Sequence, residues 1–224
     1  MHVLGNFDVV NLESALNITE AEFYVSIDDD PRWIPDSSVP SSSKIFYHLP
    51  HIQRLEIKWY FLKYLSLGVL PEKLPKPCQY LKVLSMDICF DDPDEILTAL
   101  CILRSSSALQ KLKKFMNGKK KLTRSPGVVE EQKSSCFNVS YNCTLYQLRL
   151  VNITGIYGVE AELDFIKFLL LGSPMLERMT VTPSRSLKPV SVDGFLKLVK
   201  ELLQFKRESK HAEIILLDPY SSMN

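Results

Sequence analysis

Few residues in this chain stand at spacings that could perform chemistry. His48 and His51 lie three apart, which brings two imidazoles to one metal ion only on a helix. Pro50 falls between them, and no carboxylate or thiol is spaced to complete the ligand set, so they read as loop histidines. Cys136 and Cys143 are seven apart with no second pair to close a tetrahedral site. The acidic runs Asp28-Asp29-Asp30 and Asp91-Asp92 abut Pro31 and Pro93, which suits turns and helix caps better than a general acid–base pair. "SSSKIF" lacks the glycines of a phosphate loop, and neither Gly-x-Gly-x-x-Gly nor Gly-x-Ser-x-Gly occurs. The four histidines offer no base with a visible nucleophile partner. The sequence therefore predicts no catalytic residues, no metal, no cofactor and no enzymatic activity.

Composition bounds what remains. The chain has 224 residues, 46% hydrophobic and 24% charged, which are ordinary values for a globular protein with a sizeable core. The most apolar run, Phe165 to Leu171, is interrupted by Lys167 and is far shorter than the ~20 apolar residues a spanning helix needs, so no membrane association is expected. Net charge is +1, yet seven basic residues and no acidic one fall within 111–124, leaving the rest of the chain net acidic. That is not the footprint of a general nucleic-acid binder. Five single cysteines suit reduced core thiols in an intracellular protein. The N-terminus has neither the basic nor the apolar stretch of a secretory signal, so the sequons at Asn17, Asn138, Asn142 and Asn152 read as incidental. The expected location is the cytoplasm and/or nucleus. Lys119, Lys120, Lys121 and Arg124 form a candidate nuclear-import patch; alanine at Lys119–Lys121 would then move a fluorescent fusion out of the nucleus, and an unchanged distribution would contradict it.

The positioning elements are legible from periodicity. "IQRLEI" from Ile52, "LKVLSM" from Leu81, "LYQLRL" from Leu145 and "LERMTV" from Leu176 all read apolar-x-x-apolar-x-apolar. "LQKL" from Leu109 matches the first half, but Lys114 occupies its last apolar place, which puts that strand in question. First positions are separated by 29, 28, 36 and 31 residues, the mark of a repeating scaffold. Alternate residues of each strand would point inward and stack on the next repeat, with Leu55, Leu84, Leu148 and Met179 in the core. "AEFYVSI" (21–27) and "AEIILLD" (212–218) read as further strands. Helices are expected between them. One is capped by Asp92 with Pro93 at its first position and Glu95 completing a capping box. A second starts near Glu160 and Glu162 and ends with Gly172 as C′ residue before Pro174. A third carries Phe195, Leu198, Val199 and Leu202 on one stripe. The Pro/Ser-rich 28–43 and the polar 116–142 read as loops.

Residues 48–112 ("HLPHIQRLEIKWY…SSSALQKL"), 145–181 ("LYQLRLVNITGIYGVEAELDFIKFLLLGSPMLERMTV") and 201–219 resemble the C-terminal half of plant F-box/FBD/LRR-repeat proteins. The second and third stretches resemble the FBD domain: strand, Gly-containing turn, "ELxFIKFLL" helix, "SPxLExM" strand, closing helix and strand. No F-box is legible within 1–224, and 113–143 is basic and Ser-rich where that family is more acidic. The resemblance implies an α/β leucine-rich-repeat-like solenoid of irregular strand–helix repeats with a C-terminal FBD-like unit. Its expected division is a partial repeat region at 1–115, a basic loop at 116–143, the FBD-like domain at 144–219 and a tail at 220–224. It further implies the substrate-selecting part of a cullin–RING ubiquitin ligase of SCF type. The partner would be a substrate protein, with an SKP-type adaptor and cullin only if an F-box is supplied elsewhere. Two other readings are a ligase-uncoupled scaffold or decoy, and a nucleic-acid-associated protein using the basic residues of 111–124. Geometry places the expected protein contacts on the solvent-facing strand positions Arg54, Glu56, Lys58, Ser85, Asp87, Gln147, Arg149, Arg178 and Thr180.

Overall fold

Alternating apolar residues become strands because one face of each can be buried against its neighbours, and here they do so in strict succession. A computed structural model describes residues 2–4, 17–25, 45–46, 49–59, 61–66, 73–74, 76–115, 143–184 and 192–218. Among these, eight strands form one sheet: β1 (His2–Leu4), β2 (Glu20–Val25), β3 (Arg54–Trp59), β4 (Val83–Asp87), β5 (Lys111–Phe115), β6 (Leu150–Ile156), β7 (Arg178–Pro183) and β8 (Glu213–Leu216). Spatial order equals chain order, and every pairing is parallel. Parallel neighbours need crossover connections. Helices α1 (Phe61–Leu65), α2 (Pro93–Arg104), α3 (Glu160–Gly172) and α4 (Val192–Gln204) lie in those that follow β3, β4, β6 and β7.

Register lines up two inward ladders. One runs Ala21, Leu55, Leu84, Leu112, Val151, Met179, Ile214; the other runs Phe23, Ile57, Met86, Lys114, Ile153, Val181, Leu216. All but the last rung of each are buried, and they share one core with the apolar sides of the helices. Phe61 of α1 stacks on Phe23 with ring centroids 5.0 Å apart, and Phe165 of α3 tilts against Phe90 at 5.4 Å. Leu198 and Leu202 of α4 are buried as their spacing predicts; the side chain of Phe195 lies outside the described residues.

The approach to each strand repeats at atomic level. Ile52, Leu81, Leu109, Leu148 and Leu176 each donate their N–H to the carbonyl three residues back, at 3.2–3.3 Å. The carbonyl of the following residue then accepts two N–H groups from the next repeat: Gln53 from Lys82 and Val83, Lys82 from Gln110 and Lys111, Gln110 from Arg149 and Leu150, Arg149 from Glu177 and Arg178. This equivalence corrects one register. The fourth motif begins at Leu148 ("LRLVNI"), not Leu145, and its strand starts at Leu150. Leu145 is instead the buried residue three before, equivalent to Leu49 and Cys78. A second correction concerns β5, which pairs fully on both sides despite Lys114.

Helix ends also differ in part from expectation. Asp92 caps α2, accepting from Asp94 N at 3.0 Å, and Pro93 takes the first turn. Glu95 does not close a capping box on Asp92; its Oε2 accepts from Cys89 N at 2.9 Å, tying the helix to the start of the loop that leaves β4. The ammonium of Lys63 on α1 sits 2.9 Å from Asp92 and 2.7 Å from Asp94, which fixes α1 against the start of α2. Gly172 is the last residue of α3 and not a left-handed C′ residue. A Cβ there would meet the Cys143 carbonyl oxygen at 2.8 Å, so close backbone approach demands glycine. That approach satisfies the helix end, since Leu145 N donates to Gly172 O at 2.7 Å and Glu208 N to Leu170 O at 3.1 Å.

Among the described residues no helix is long and apolar enough to cross a membrane, and no cluster of ligand-type side chains could hold a metal. His51 lies in a turn with its ring 5.5 Å from Tyr80; His48 and Cys136 fall outside the described residues. Cys78, Cys89, Cys101 and Cys143 are free thiols. Burial pushes Cys78 up to about 12 and Cys101 up to about 11, so both stay protonated and inert at neutral pH.

Candidate protein-docking face

The residues between the inward rungs share the opposite, outer side of the sheet. Arg54, Glu56 and Lys58 all stand on β3's outer side, and Arg178 and Thr180 on β7's. Ser85 and Asp87 share that side of β4 but are nearly covered, at 7% exposure each. Gln147 and Arg149 are exposed but precede β6, as the corrected register requires. On β6 the positions equivalent to Arg54 and Glu56 are Leu150 and Asn152. The structure thus brings Arg54, Glu56, Lys58, Arg178 and Thr180 to one surface, with Gln147 and Arg149 at its rim. Lys119, Lys120, Lys121 and Arg124 lie outside the described residues.

Ion pairs across neighbouring repeats neutralise both flanks of this surface. Glu20 meets Arg54 at 3.5 Å; Lys58 lies between Glu22 at 2.6 Å and Glu56 at 3.0 Å. The hydrogen bond to Glu22, with Glu56 beside it, holds the Lys58 ammonium above its ordinary range against the opposing effect of burial. Towards the C-terminus Arg149 pairs with Glu177, and Arg178 with Glu213 at 3.3 Å. Such exposed pairs contribute little stability, about 0–1 kcal/mol each, but they fix side-chain directions. In the middle, Lys82, Lys111 and Lys113 make no ion pair or side-chain hydrogen bond among the described residues. Lys111 and Lys113 read in sequence as part of a basic loop; they belong to β5. The double register of the parallel pairing reveals this, and composition alone does not.

Behind β5 lies a charged centre facing inward. Lys114 is fully buried, its Nζ 4.9 Å above the Phe90 ring and without a hydrogen-bond partner. Glu162, in the first turn of α3, is equally buried. Its Oε2 accepts from Tyr157 N and Gly158 N at 2.8 Å each and from Val159 N at 3.2 Å, while Oε1 has no partner. Gly158 adopts φ 77°, a left-handed turn that aims these donors at the carboxylate and favours glycine. Burial raises the Glu162 carboxyl, opposed by Lys114 and the three N–H groups. Burial lowers Lys114 to about 8, opposed by Glu162, Asp87 and Cys89. Neither group reaches solvent; each acts on the other only through its charge, across the buried space between β5 and α3. A lysine at an apolar motif position, with a glutamate opening an otherwise greasy helix, is the signal in the sequence.

The pH dependence follows with a definite sign. The unfolded chain holds the Lys114 proton up to pH 10.5 and the folded chain only up to about 8. Stability must therefore rise with pH across that window, by about 3 kcal/mol. Urea unfolding at pH 7.5 and pH 10 should show this gain relative to Lys114→Met, which cancels the other alkaline titrations. Parallel pH profiles for the two proteins would contradict it.

The FBD family matches residues 141–181, which cover β6, α3 and most of β7. F-box/FBD/LRR-repeat protein At1g13570 of Arabidopsis thaliana is 32% identical over 219 residues, 97% of this chain and 50% of that protein. The chain thus spans about half the length of the curated relative it matches. No solved structure matches it. The chain thus carries an FBD segment and, along nearly all of its length, is similar to about half of an F-box/FBD/LRR-repeat protein.

Proposed function

We propose that the chain is a non-catalytic protein-recognition module, a leucine-rich-repeat-like solenoid whose outer sheet face grips a substrate protein for a cullin–RING ubiquitin ligase. One observation carries this reading: parallel strands stacked in chain order present outward polar positions on β3, β5 and β7, held in register by a bifurcated carbonyl repeated from one strand to the next. Surfaces of this kind grow by stacking and suit extended partners. The contacts assigned are Arg54, Glu56, Lys58, Arg178 and Thr180, joined by Lys82, Lys111 and Lys113. Ser85 and Asp87 would take part only if uncovered, and Gln147 and Arg149 only at the rim.

The buried ladder and Lys114–Glu162 centre are scaffolding for that face. Ligase coupling through an SKP-type adaptor and cullin is the finer part of the proposal. It is tested by affinity capture and mass spectrometry, comparing this chain with a form extended at its N-terminus. Recovery of adaptor and cullin with the longer form supports coupling. Recovery of the substrate alone by both forms favours the ligase-uncoupled scaffold instead.

Lys82, Lys111 and Lys113, which make no ion pair among the described residues, favour a second reading, contact with nucleic acid. Salt-dependent retention of duplex or single-stranded probes would support it, and no binding at low salt would end it.

A further inference from the structure

We propose that Lys82, Lys111 and Lys113, at the middle of the outer face, seat a short carboxylate-rich segment of the partner protein; this rests on the reading above that the outer face takes a protein. The first observation is where charge is left uncompensated. On one flank Arg54 pairs with Glu20, and Lys58 with Glu22 and Glu56; on the other Arg149 pairs with Glu177, and Arg178 with Glu213. Between these flanks the three lysines hold no ion pair or side-chain hydrogen bond among the described residues. Asp87, diagonal to Lys113 across the β4–β5 pairing, is nearly covered, and its charge acts on the buried Lys114.

The second observation is that the three lysines stand together. Lys111 and Lys113 are alternate residues of β5, so they project from one side of the sheet, roughly 6–7 Å apart along the strand. The carbonyl of Lys82 accepts the N–H groups of Gln110 and Lys111 at 2.9 Å each, which sets Lys82 beside the start of β5. Like charges this close repel, and a bound anion relieves the repulsion.

The third observation selects the carboxylates of a protein. Lys111 lies in register between Val83, half-buried, and Leu150, exposed. An aliphatic side chain of an acidic segment therefore finds apolar surface beside the charge. A nucleic-acid backbone has no such group to place there. Running across the strands at roughly 5 Å each, it would also pass from the lysines onto Glu22 and Glu56, or onto Glu177 and Glu213. Phosphate groups are held best by the planar fork of arginine. Arg54, Arg149 and Arg178 of this face are each tied to a carboxylate already. Lysine, a compact point charge, meets a carboxylate without that geometry.

Selection of short random displayed peptides on the full chain should enrich clustered Asp or Glu next to Leu, Ile, Val or Phe. A synthetic copy of the most enriched peptide, followed by fluorescence anisotropy, should bind about tenfold more weakly to the Lys111→Gln, Lys113→Gln variant. Its binding to the natural chain should weaken as salt rises. Lys82→Gln changes an exposed residue ahead of β4 and should cost about threefold, which decides the matter if the β5 variant does not fold. Enriched peptides without acidic residues, lost on Arg54→Glu or Arg178→Glu, overturn this inference and leave the outer face as the docking surface. Peptides that no outer-face variant weakens overturn both. Tighter binding of a phosphoserine peptide or of single-stranded DNA than of the acidic peptide overturns the inference, as does a selection that enriches nothing.

Discussion

Replacing Glu162 by Ala should lower the stability of the fold by about 3–5 kcal/mol, because it leaves an uncompensated charge in the core. The loss has two sources. The N–H groups of Tyr157, Gly158 and Val159 lose their common acceptor in a turn that offers no other. Lys114, with no hydrogen-bond partner of its own, loses the opposing charge that acts on it most strongly and must shed its proton or stay charged in the core. Two further variants separate the sources. Glu162→Gln keeps an acceptor for the turn and removes only the charge, so it should cost less. Lys114→Met in the Glu162→Ala background should recover part of the loss, since the ammonium is then gone. Equilibrium urea unfolding of the four proteins tests this. A change below about 1 kcal/mol for Glu162→Ala would mean that the carboxylate does not hold the turn.

Leu84→Ala should cost about 2–5 kcal/mol, the range for deleting a fully buried leucine. Leu84 is the middle of a rung, stacked between Leu55 and Leu112 and closed to solvent. Its neighbours are held by backbone pairing on both sides, so they cannot collapse far into the vacancy. Repeats touch chiefly their neighbours. The damage should therefore be graded: amide exchange should quicken most in β3, β4 and β5 and least in β7 and β8. Leu150→Ala, on the exposed outer side of β6, should change stability by no more than about 0.5 kcal/mol. Equal costs for Leu84→Ala and Leu150→Ala would contradict the assignment of inner and outer faces.

Four of the repeating strands were legible because their inward residues are aliphatic at a spacing that only a strand entered through a tight turn explains. The fourth motif slipped by three residues for a simple reason. Leu145, Leu148 and Val151 start or continue two overlapping matches, and alternation cannot choose between them. The turn chooses: Leu148 N donates to Leu145 O, as Leu81 N does to Cys78 O. The strand at Lys114 stood in question because its countercharge comes from a helix beyond a long loop, which no local pattern contains. Glu95 and Gly172 sat at the right places for wrong reasons. One reaches Cys89 and not the cap, and the other makes room for the Cys143 carbonyl and not for a left-handed turn. That Arg54, Glu56, Lys58, Arg178 and Thr180 stand on the outer side of the sheet followed from alternation alone. The covering of Ser85 and Asp87 did not, since burial of an outer position depends on what lies over the sheet. Lys111 and Lys113 were hidden inside a run of lysines that crosses from strand to loop.

The face itself is best tested by affinity capture with the natural chain beside a Lys111→Glu, Lys113→Glu, Arg178→Glu variant, after circular dichroism has shown that both fold alike. The natural chain should enrich a defined protein that the variant loses at least tenfold. If both forms recover the same proteins in equal amounts, the outer side of the sheet is not where this chain takes hold of its partner.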